Sequence, residues 1–136
     1  TIRLVICERS VPRDERQRSE TKAERRRKIL LEATKQAEAA TPPELLDVID
    51  FSETDFASLP KCRLAAMLSP DAKPIRCVDI ADDVVLAIGP EGDWSPSEMQ
   101  TLLANGFVPV SLGRRIMRAS TAVAAGCALV RALYED

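Results

Sequence analysis

Short apolar runs alternate along this chain with longer segments in which apolar residues recur at helical spacing. Residues 2–7 are rich in β-branched side chains and predict a first strand. Residues 63–68, Val84–Ile88 and residues 108–110 predict three more. Val84–Ile88 is apolar on both faces, which is typical of a central parallel strand.

Helix signals fill the gaps between these strands. Thr21 and Glu24 have the spacing of a capping box, and a helix is predicted from there to about residue 39. Residues 45–49 form a short apolar segment, and Ser52 predicts the cap of a short helix after it.

The clearest helix start lies beyond Val84–Ile88. Ser95 occupies an N-cap position, Pro96 the first helical position and Glu98 the third. A glycine at position 106 ends that helix, and a last helix is predicted over residues 120–134.

The alternation of strands and helices predicts an α/β fold with a mostly parallel sheet flanked by helices. Ligands of such sheets bind beyond the carboxyl ends of the strands. Residues 8–10, residues 89–92 and residues 112–118 each follow a predicted strand. We therefore expect these three segments to converge on one site.

Length and composition narrow the class of protein. The chain has 136 residues, which is the size of one domain, and 46% hydrophobic and 29% charged residues are typical of a globular protein. No apolar run approaches the length of a membrane span, and the first residues do not form a signal peptide. We expect a cytoplasmic protein that does not contact membranes.

The chain contains no histidine. Nucleophile arrangements that depend on a histidine base are therefore excluded within this chain, and so is the commonest zinc ligand, so we expect no metal site. Four cysteines, Cys7, Cys62, Cys77 and Cys127, lie far apart in apolar surroundings, which favours reduced thiols packed as small hydrophobic groups.

Charge is distributed unevenly along the chain. Residues 1–40 contain 11 Lys and Arg against 7 Asp and Glu, a net charge of +4, whereas residues 41–136 contain 8 against 14, a net charge of −6. A polyanion would therefore meet the N-terminal part of the chain or the isolated triplet Arg114, Arg115 and Arg118.

Taken alone, the sequence G-P-E-G at residues 89–92 is compatible with an ordinary turn. It is neither a P-loop nor a dinucleotide-binding fingerprint. Its context is more specific. Residues 86–96 read L-A-I-G-P-E-G-D-W-S-P, residues 106–113 read G-F-V-P-V-S-L-G, and residues 115–122 read R-I-M-R-A-S-T-A.

This succession closely resembles the C-terminal half of the 16S ribosomal RNA uridine-N3 methyltransferases, which belong to the trefoil-knotted SPOUT superfamily. Their pattern is approximately I-G-P-E-G-G-F-S-P-E-E, then G-F-x-P-V-S-L-G-x-R-I-L-R-T-E-T-A. Residues 8–11 (E-R-S-V) and residues 32–36 (E-A-T-K-Q) resemble the family's E-R-S-V and E-A-x-x-Q. The resemblance covers most of residues 2–134.

The resemblance implies S-adenosylmethionine-dependent methyl transfer to N3 of a uridine in small-subunit ribosomal RNA. It also implies a homodimer and a C-terminal trefoil knot whose crossings form the cofactor pocket. Carried over by position, the cofactor-binding residues are Leu68, Gly89, Pro90, Glu91, Gly92, Leu112, Gly113, Ile116, Met117 and Arg118.

Two arginines are the candidates for catalysis, Arg9 and Arg118, because a cation can stabilise the negative charge that develops on the uracil oxygens. Arg9 could instead form an ion pair with Glu8 or Asp79, and Glu91 could anchor its loop rather than act as a base. The candidate RNA-binding residues are Arg9, Arg25, Arg26, Lys28, Gln36, Arg114 and Arg115.

The basic run at residues 25–28 is also compatible with a solvated helix face. The chain departs from the family pattern at residues 37–39 (A-E-A for S-G-R), at Arg114 (for proline) and at residues 119–121 (A-S-T for T-E-T).

Family members carry an N-terminal β-barrel RNA-binding domain and a first strand–helix unit, and the resemblance implies that residues 1–136 form the methyltransferase domain without them. The alternative functions are a catalytically degenerate cofactor- or RNA-binding module of the same fold and, less specifically, an α/β nucleotide-binding domain.

Overall fold

A computed structural model of the chain describes residues 1–11, 18–80 and 83–135. The chain forms two compact units, the first built from Thr1–Ile6 and Val11–Thr54 and the second from Cys7–Ser10 and Asp55–Asp136. Within the described ranges, no helix has the combination of length and apolar character that is needed to cross a bilayer.

The first unit contains a short parallel pair of strands and one long helix. Strand β1 (Val5–Ile6) pairs with β2 (Ile49–Asp50), and helix α1 spans Glu20–Gln36. The strand predicted over residues 2–7 is therefore shorter than expected. Outside the β1–β2 ladder, the same two segments of the chain pair only through an isolated bridge between Ile2 and Leu45.

Two caps in this unit differ from the prediction. Helix α1 is capped by Ser19, whose hydroxyl accepts a hydrogen bond from the N–H of Lys22, so the prediction of Thr21 as the cap is wrong. The short 3₁₀ turn at Phe51–Glu53 is capped by Asp50 rather than by Ser52, because the Asp50 and Glu53 side chains form a reciprocal capping box.

The end of α1 also differs from the prediction. The helix stops at Gln36 rather than near residue 39. Glu38 then adopts a φ of +52°, at a position where the resembled family pattern has glycine. The backbone therefore turns out of the helix even though the glycine is absent. Residues 13–20 are polar and highly charged, which predicts a loop, and residues 13–17 of that segment lie outside the described residues.

The second unit is built on a four-stranded parallel sheet with the order β4–β6–β3–β5. The strands are β3 (Cys62–Ala66), β4 (Lys73–Pro74), β5 (Val84–Ile88) and β6 (Val108–Ser111). The predicted parallel pairing and the bounds of β5 are confirmed. The prediction that β5 is central is wrong, because it lies at the edge of this sheet.

The centre of the sheet is instead formed by β3 and β6. Leu64, Ala65 and Val110 are almost completely buried there. Ile75, in the 3₁₀ turn Ile75–Cys77 after β4, packs into the same apolar core. The core therefore follows the two strands that have neighbours on both sides.

Two helices flank this sheet, α2 (Pro96–Ala104) and α3 (Ala119–Glu135). The predicted start of α2 is confirmed, with Ser95 as N-cap. Helix α3 packs closely against β5 at Gly126, where a Cβ atom would lie only 2.7 Å from Cδ2 of Leu86. Glycine at that position lets the helix approach the sheet.

The four cysteines are free thiols in different surroundings. Cys77 and Cys127 are exposed, Cys62 is half-buried and Cys7 is buried. Burial and the nearby Glu98 carboxylate raise the pKa of the Cys7 thiol from its ordinary 9.0 to about 11, although a hydrogen bond with Ser10 acts in the opposite direction.

We predict that iodoacetamide at pH 8 modifies Cys77 and Cys127 at least ~10-fold faster than Cys7. A pKa of about 11 leaves roughly one Cys7 thiol in a thousand as the reactive thiolate at that pH, and burial also restricts access. The rate at Cys7 should rise steadily as the pH increases towards 11. Peptide mass spectrometry over a time course measures the three rates, and equal rates in the folded chain would contradict the prediction. In urea the difference should disappear.

Candidate functional site

Three strands of the second unit end at the same edge of the sheet. Ala66 at the end of β3 lies opposite Ile88 of β5 and Val110 of β6. The segments that follow these strands line one cleft, which encloses about 570 Å³ of empty space including the part open to solvent.

The two loops that carry the sequence motif lie side by side in this cleft. Of the ten predicted cofactor-binding residues, Gly92 and Arg118 do not line it. The other eight do: Leu68, Gly89, Pro90, Glu91, Leu112, Gly113, Ile116 and Met117. The lining also includes residues that were not predicted for cofactor binding, which are Ala66, Met67, Ile88, Asp93, Ser111, Arg115, Ala119 and Ala122.

Much of the cleft wall is apolar and accessible. Leu68 is 54% exposed and Ile116 is 79% exposed, which is unusual for large hydrophobic side chains. Leu112 and Met117 add further apolar surface. Exposed apolar walls of this kind can hold a flat, weakly polar ring system.

The loop after β5 is shaped by a turn and a strained residue. The N–H of Asp93 donates to the carbonyl of Pro90 at 2.9 Å, and Asp93 has a φ of +59°. Its carboxylate accepts hydrogen bonds from the N–H groups of Trp94 at 2.9 Å and Leu68 at 3.3 Å. Asp93 thus joins the loop after β5 to the segment after β3.

The ring of Trp94 packs beneath the loop after β5. The sequence patterns did not identify Trp94 as a residue of the site. Its ring is buried, and Nε1 donates to the carbonyl of Ala66 at 3.0 Å. A Cβ atom at Gly89 would lie 3.2 Å from the indole. Gly89 therefore lets the backbone that lines the cleft lie directly on the ring.

Arg9 reaches the same loop from the turn Cys7–Ser10. Its Nη1 donates to the carbonyls of Gly92 at 2.9 Å and Trp94 at 3.2 Å. Among the described residues, its partners are these two carbonyl oxygens rather than the carboxylates of Glu8 or Asp79. Of the three segments expected to converge, residues 89–91 and 112–113 line the cleft together. Residues 8–10 do not line it, but they contact the loop after β5 through Arg9, which holds the shape of that loop.

Glu98 fixes the turn Cys7–Ser10 to the start of α2. Its buried carboxylate accepts the N–H of Glu8 at 2.8 Å through Oε1 and the N–H of Ser95 at 2.9 Å through Oε2. The capping box predicted from the sequence marks Glu98, but it explains only the bond to Ser95. The second bond joins residues 90 positions apart, which no local pattern can reveal.

The arginines after β6 occupy different places. Arg115 lines the cleft, whereas Arg118 is exposed and its carbonyl accepts the N–H of Ala122 at 2.8 Å, in the first turn of α3. Arg114 is exposed. The charge in the cleft therefore comes from Arg115 together with the carboxylates of Glu91 and Asp93.

The remaining RNA-binding candidates lie on α1 in the first unit. Arg25, Lys28 and Gln36 are exposed, and Arg26 is half-buried. The neighbouring Arg27 forms an exposed ion pair with Glu20 at 2.8 Å. The helix therefore presents basic groups to solvent.

Comparison with known proteins identifies relatives of this chain. The family model described as an RNA methyltransferase domain matches residues 1–131. The Ribosomal RNA small subunit methyltransferase E of Synechocystis is 31% identical in an alignment of 133 residues that covers 87% of this chain and 41% of that protein. The protein of the same name from Treponema pallidum is 45% identical over 51 residues, covering 38% of this chain and 19% of that protein.

Solved structures agree with this likeness. The Ribosomal RNA small subunit methyltransferase E of Neisseria gonorrhoeae, bound to S-adenosyl methionine, has a TM-score of 0.83 and 30% identity, covering 96% of this chain and 54% of that one. A Legionella pneumophila protein in complex with the cofactor SAM has a TM-score of 0.83 and 25% identity, covering 94% and 53%. This chain thus spans about half the length of these relatives.

We predict that Glu98→Ala lowers the free energy of unfolding by about 2 kcal/mol, because it leaves the buried N–H of Ser95 and the partly buried N–H of Glu8 without their acceptor. Glu98→Gln keeps one acceptor oxygen and should cost less. Urea denaturation followed by the emission of Trp94, the single tryptophan of the chain, measures both changes. Gln100→Ala, on the exposed side of α2, is the control and should change the stability by less than about 0.5 kcal/mol. An equal effect of Glu98→Ala and Gln100→Ala would show that the two bonds stabilise nothing.

Proposed function

The chain belongs to the RNA methyltransferase domain family, and we propose that it transfers a methyl group from S-adenosylmethionine to N3 of a uridine in small-subunit ribosomal RNA. The observation that carries the proposal is the cleft at the carboxyl ends of β3, β5 and β6, where the Gly89–Glu91 and Leu112–Met117 segments meet. The names of the relatives and the S-adenosylmethionine bound to the Neisseria structure support the substrate class and the cofactor.

The residues of the cleft suit the cofactor. Gly89 and Gly113 line the cleft and have no side chains of their own, so their N–H and C=O groups can face an adenine edge or a ribose. Leu68, Leu112 and Ile116 provide apolar surface for the base. When bound, S-adenosylmethionine supplies a methyl group that is already activated by the sulfonium, so the chain's own task is to position it.

The arginines near the cleft act on the uridine, which is the other reactant. Uridine N3 must lose its proton before or during the transfer, and negative charge then spreads to the neighbouring oxygens. We infer that Arg115, which lines the cleft, and Arg118, which directly precedes α3, stabilise that charge and hold a nearby phosphate. Arg9, which was predicted to act in catalysis, holds the loop through its bonds to carbonyl groups, and we assign it a positioning role.

We assign the contact with RNA to the basic face of α1 as well as to Arg114. Arg25, Arg26 and Lys28 are spaced along one helix, and basic side chains of this kind bind phosphates without reading the sequence. Gln36, at the end of the same helix, can add a neutral hydrogen bond. The enzyme would act in the cytoplasm on the ribosomal subunit.

Two further features complete the proposal. We infer a homodimer, with Val123 and Ala124 of α3 offering small, exposed, apolar surface for packing. We also infer the trefoil knot of the resembled superfamily, which would place the loops after β5 and β6 across each other.

Calorimetric titration tests the cofactor, and methyl incorporation into unmodified small ribosomal subunits tests the reaction. We expect micromolar binding of S-adenosylmethionine, a change in Trp94 emission on binding, and one methyl group per subunit at a uridine N3, located by mass spectrometry. Binding without incorporation would favour the catalytically degenerate module. Absence of binding would overturn the proposal.

Arg118→Ala is predicted to lower the methylation rate by about 10- to 100-fold, because it removes a cation near the developing charge. The affinity for S-adenosylmethionine should change less than about threefold. Arg76→Ala removes an exposed arginine in the turn after β4 and serves as the control. An unchanged rate for Arg118→Ala would exclude Arg118 from the mechanism and leave Arg115 as the cation to test.

A further inference from the structure

Asp93 differs from the other residues that line the cleft, because its backbone adopts a conformation that side chains disfavour. Its φ is +59°, in the left-handed region that glycine enters without strain. A strained residue at a binding cleft is a reason to ask what its side chain does there.

The carboxylate of Asp93 is fixed in place by backbone groups from two loops. Oδ1 accepts the N–H of Trp94 at 2.9 Å, and Oδ2 accepts the N–H of Leu68 at 3.3 Å. These donors are neutral N–H groups, so they fix the position of the carboxylate without cancelling its negative charge. Because Asp93 is half-buried in the cleft lining, that charge is screened less than a charge on the open surface.

We propose that Asp93 sets the preference of the cleft for the cationic cofactor over the product, S-adenosylhomocysteine. The inference rests on the proposed function. Methyl transfer breaks the sulfur–methyl bond, forms the N3–methyl bond and releases the N3 proton. The sulfur changes from a sulfonium to a neutral thioether, so the bound ligand loses one positive charge. A fixed anion in the wall binds the first ligand more tightly and lets the second leave.

The ratio of the two affinities isolates this effect. Both ligands carry the same adenine, ribose, ammonium and carboxylate groups, so a change in cleft shape alters both affinities together. A charge that acts on the sulfonium alters only one of them. Glu91 also lines the cleft, but its side chain is exposed, where solvent weakens its field.

Calorimetric titration of the chain with S-adenosylmethionine and with S-adenosylhomocysteine tests the proposal on Asp93→Asn. Asparagine tolerates the left-handed backbone and keeps one acceptor oxygen, so the fold should survive. We expect the dissociation constant of S-adenosylmethionine to rise about fivefold, roughly 1 kcal/mol. That of S-adenosylhomocysteine should change less than about twofold.

Two further variants make the test specific. Asp93→Gly removes the charge and the backbone strain together and should change the ratio by the same factor. Asp83→Asn is the matched control, because this exposed carboxylate directly precedes β5, whose five residues span about 16 Å before the loop that contains Asp93 begins.

The outcomes separate this inference from the proposed function. If the unmodified chain binds both ligands and Asp93→Asn weakens both equally, or neither, the assignment of Asp93 is overturned and the proposed function stands. If the unmodified chain binds neither ligand, the proposed function fails and the assignment fails with it. A change of the ratio by Asp83→Asn as large as that by Asp93→Asn would also overturn the assignment.

Discussion

The parallel register of β3 with β5 and β6 is the constraint on which the site depends. It brings Ala66, Ile88 and Val110 to one edge of the sheet, so that three chain segments far apart in sequence must continue past one another. Each of these segments is short and irregular, and none could form a cleft alone. Shifting one strand by a single residue would turn its side chains to the opposite face and displace the loop that follows it.

Local signals in the sequence predict the elements better than their arrangement. Val84–Ile88 and the start of α2 are correct because apolar runs and capping residues act over a few positions. The place of β5 at the sheet edge could not be predicted, since strand order depends on contacts between distant residues. The caps at Ser19 and Asp50 were missed because several polar residues nearby could serve equally well. Which of them acts as the N-cap depends on the backbone conformation of the folded chain.

In the candidate site, too, the sequence predicts the residues of a local motif but not the contacts between distant residues. A long motif marks eight residues of the cleft, because such motifs retain the groups that face a ligand. The bonds that shape the cleft are less visible. Trp94 reaches a carbonyl 28 residues away, and Glu98 reaches an N–H 90 residues away. Asp93 was passed over because an aspartate beside glycines looks like an ordinary turn residue, and only its backbone angle distinguishes it.

The hold of Arg9 on the loop has an evolutionary consequence. Its two bonds are to main-chain carbonyls, which every amino acid possesses. The side chain at position 94 can therefore be exchanged for another aromatic group without loss of the hydrogen bonds that Arg9 donates. At position 92 a side chain would be crowded, since a Cβ there would lie 3.1 Å from Cβ of Arg9 and could be accepted only if Arg9 shifted. Substitution should thus be tolerated more readily at position 94 than at position 92.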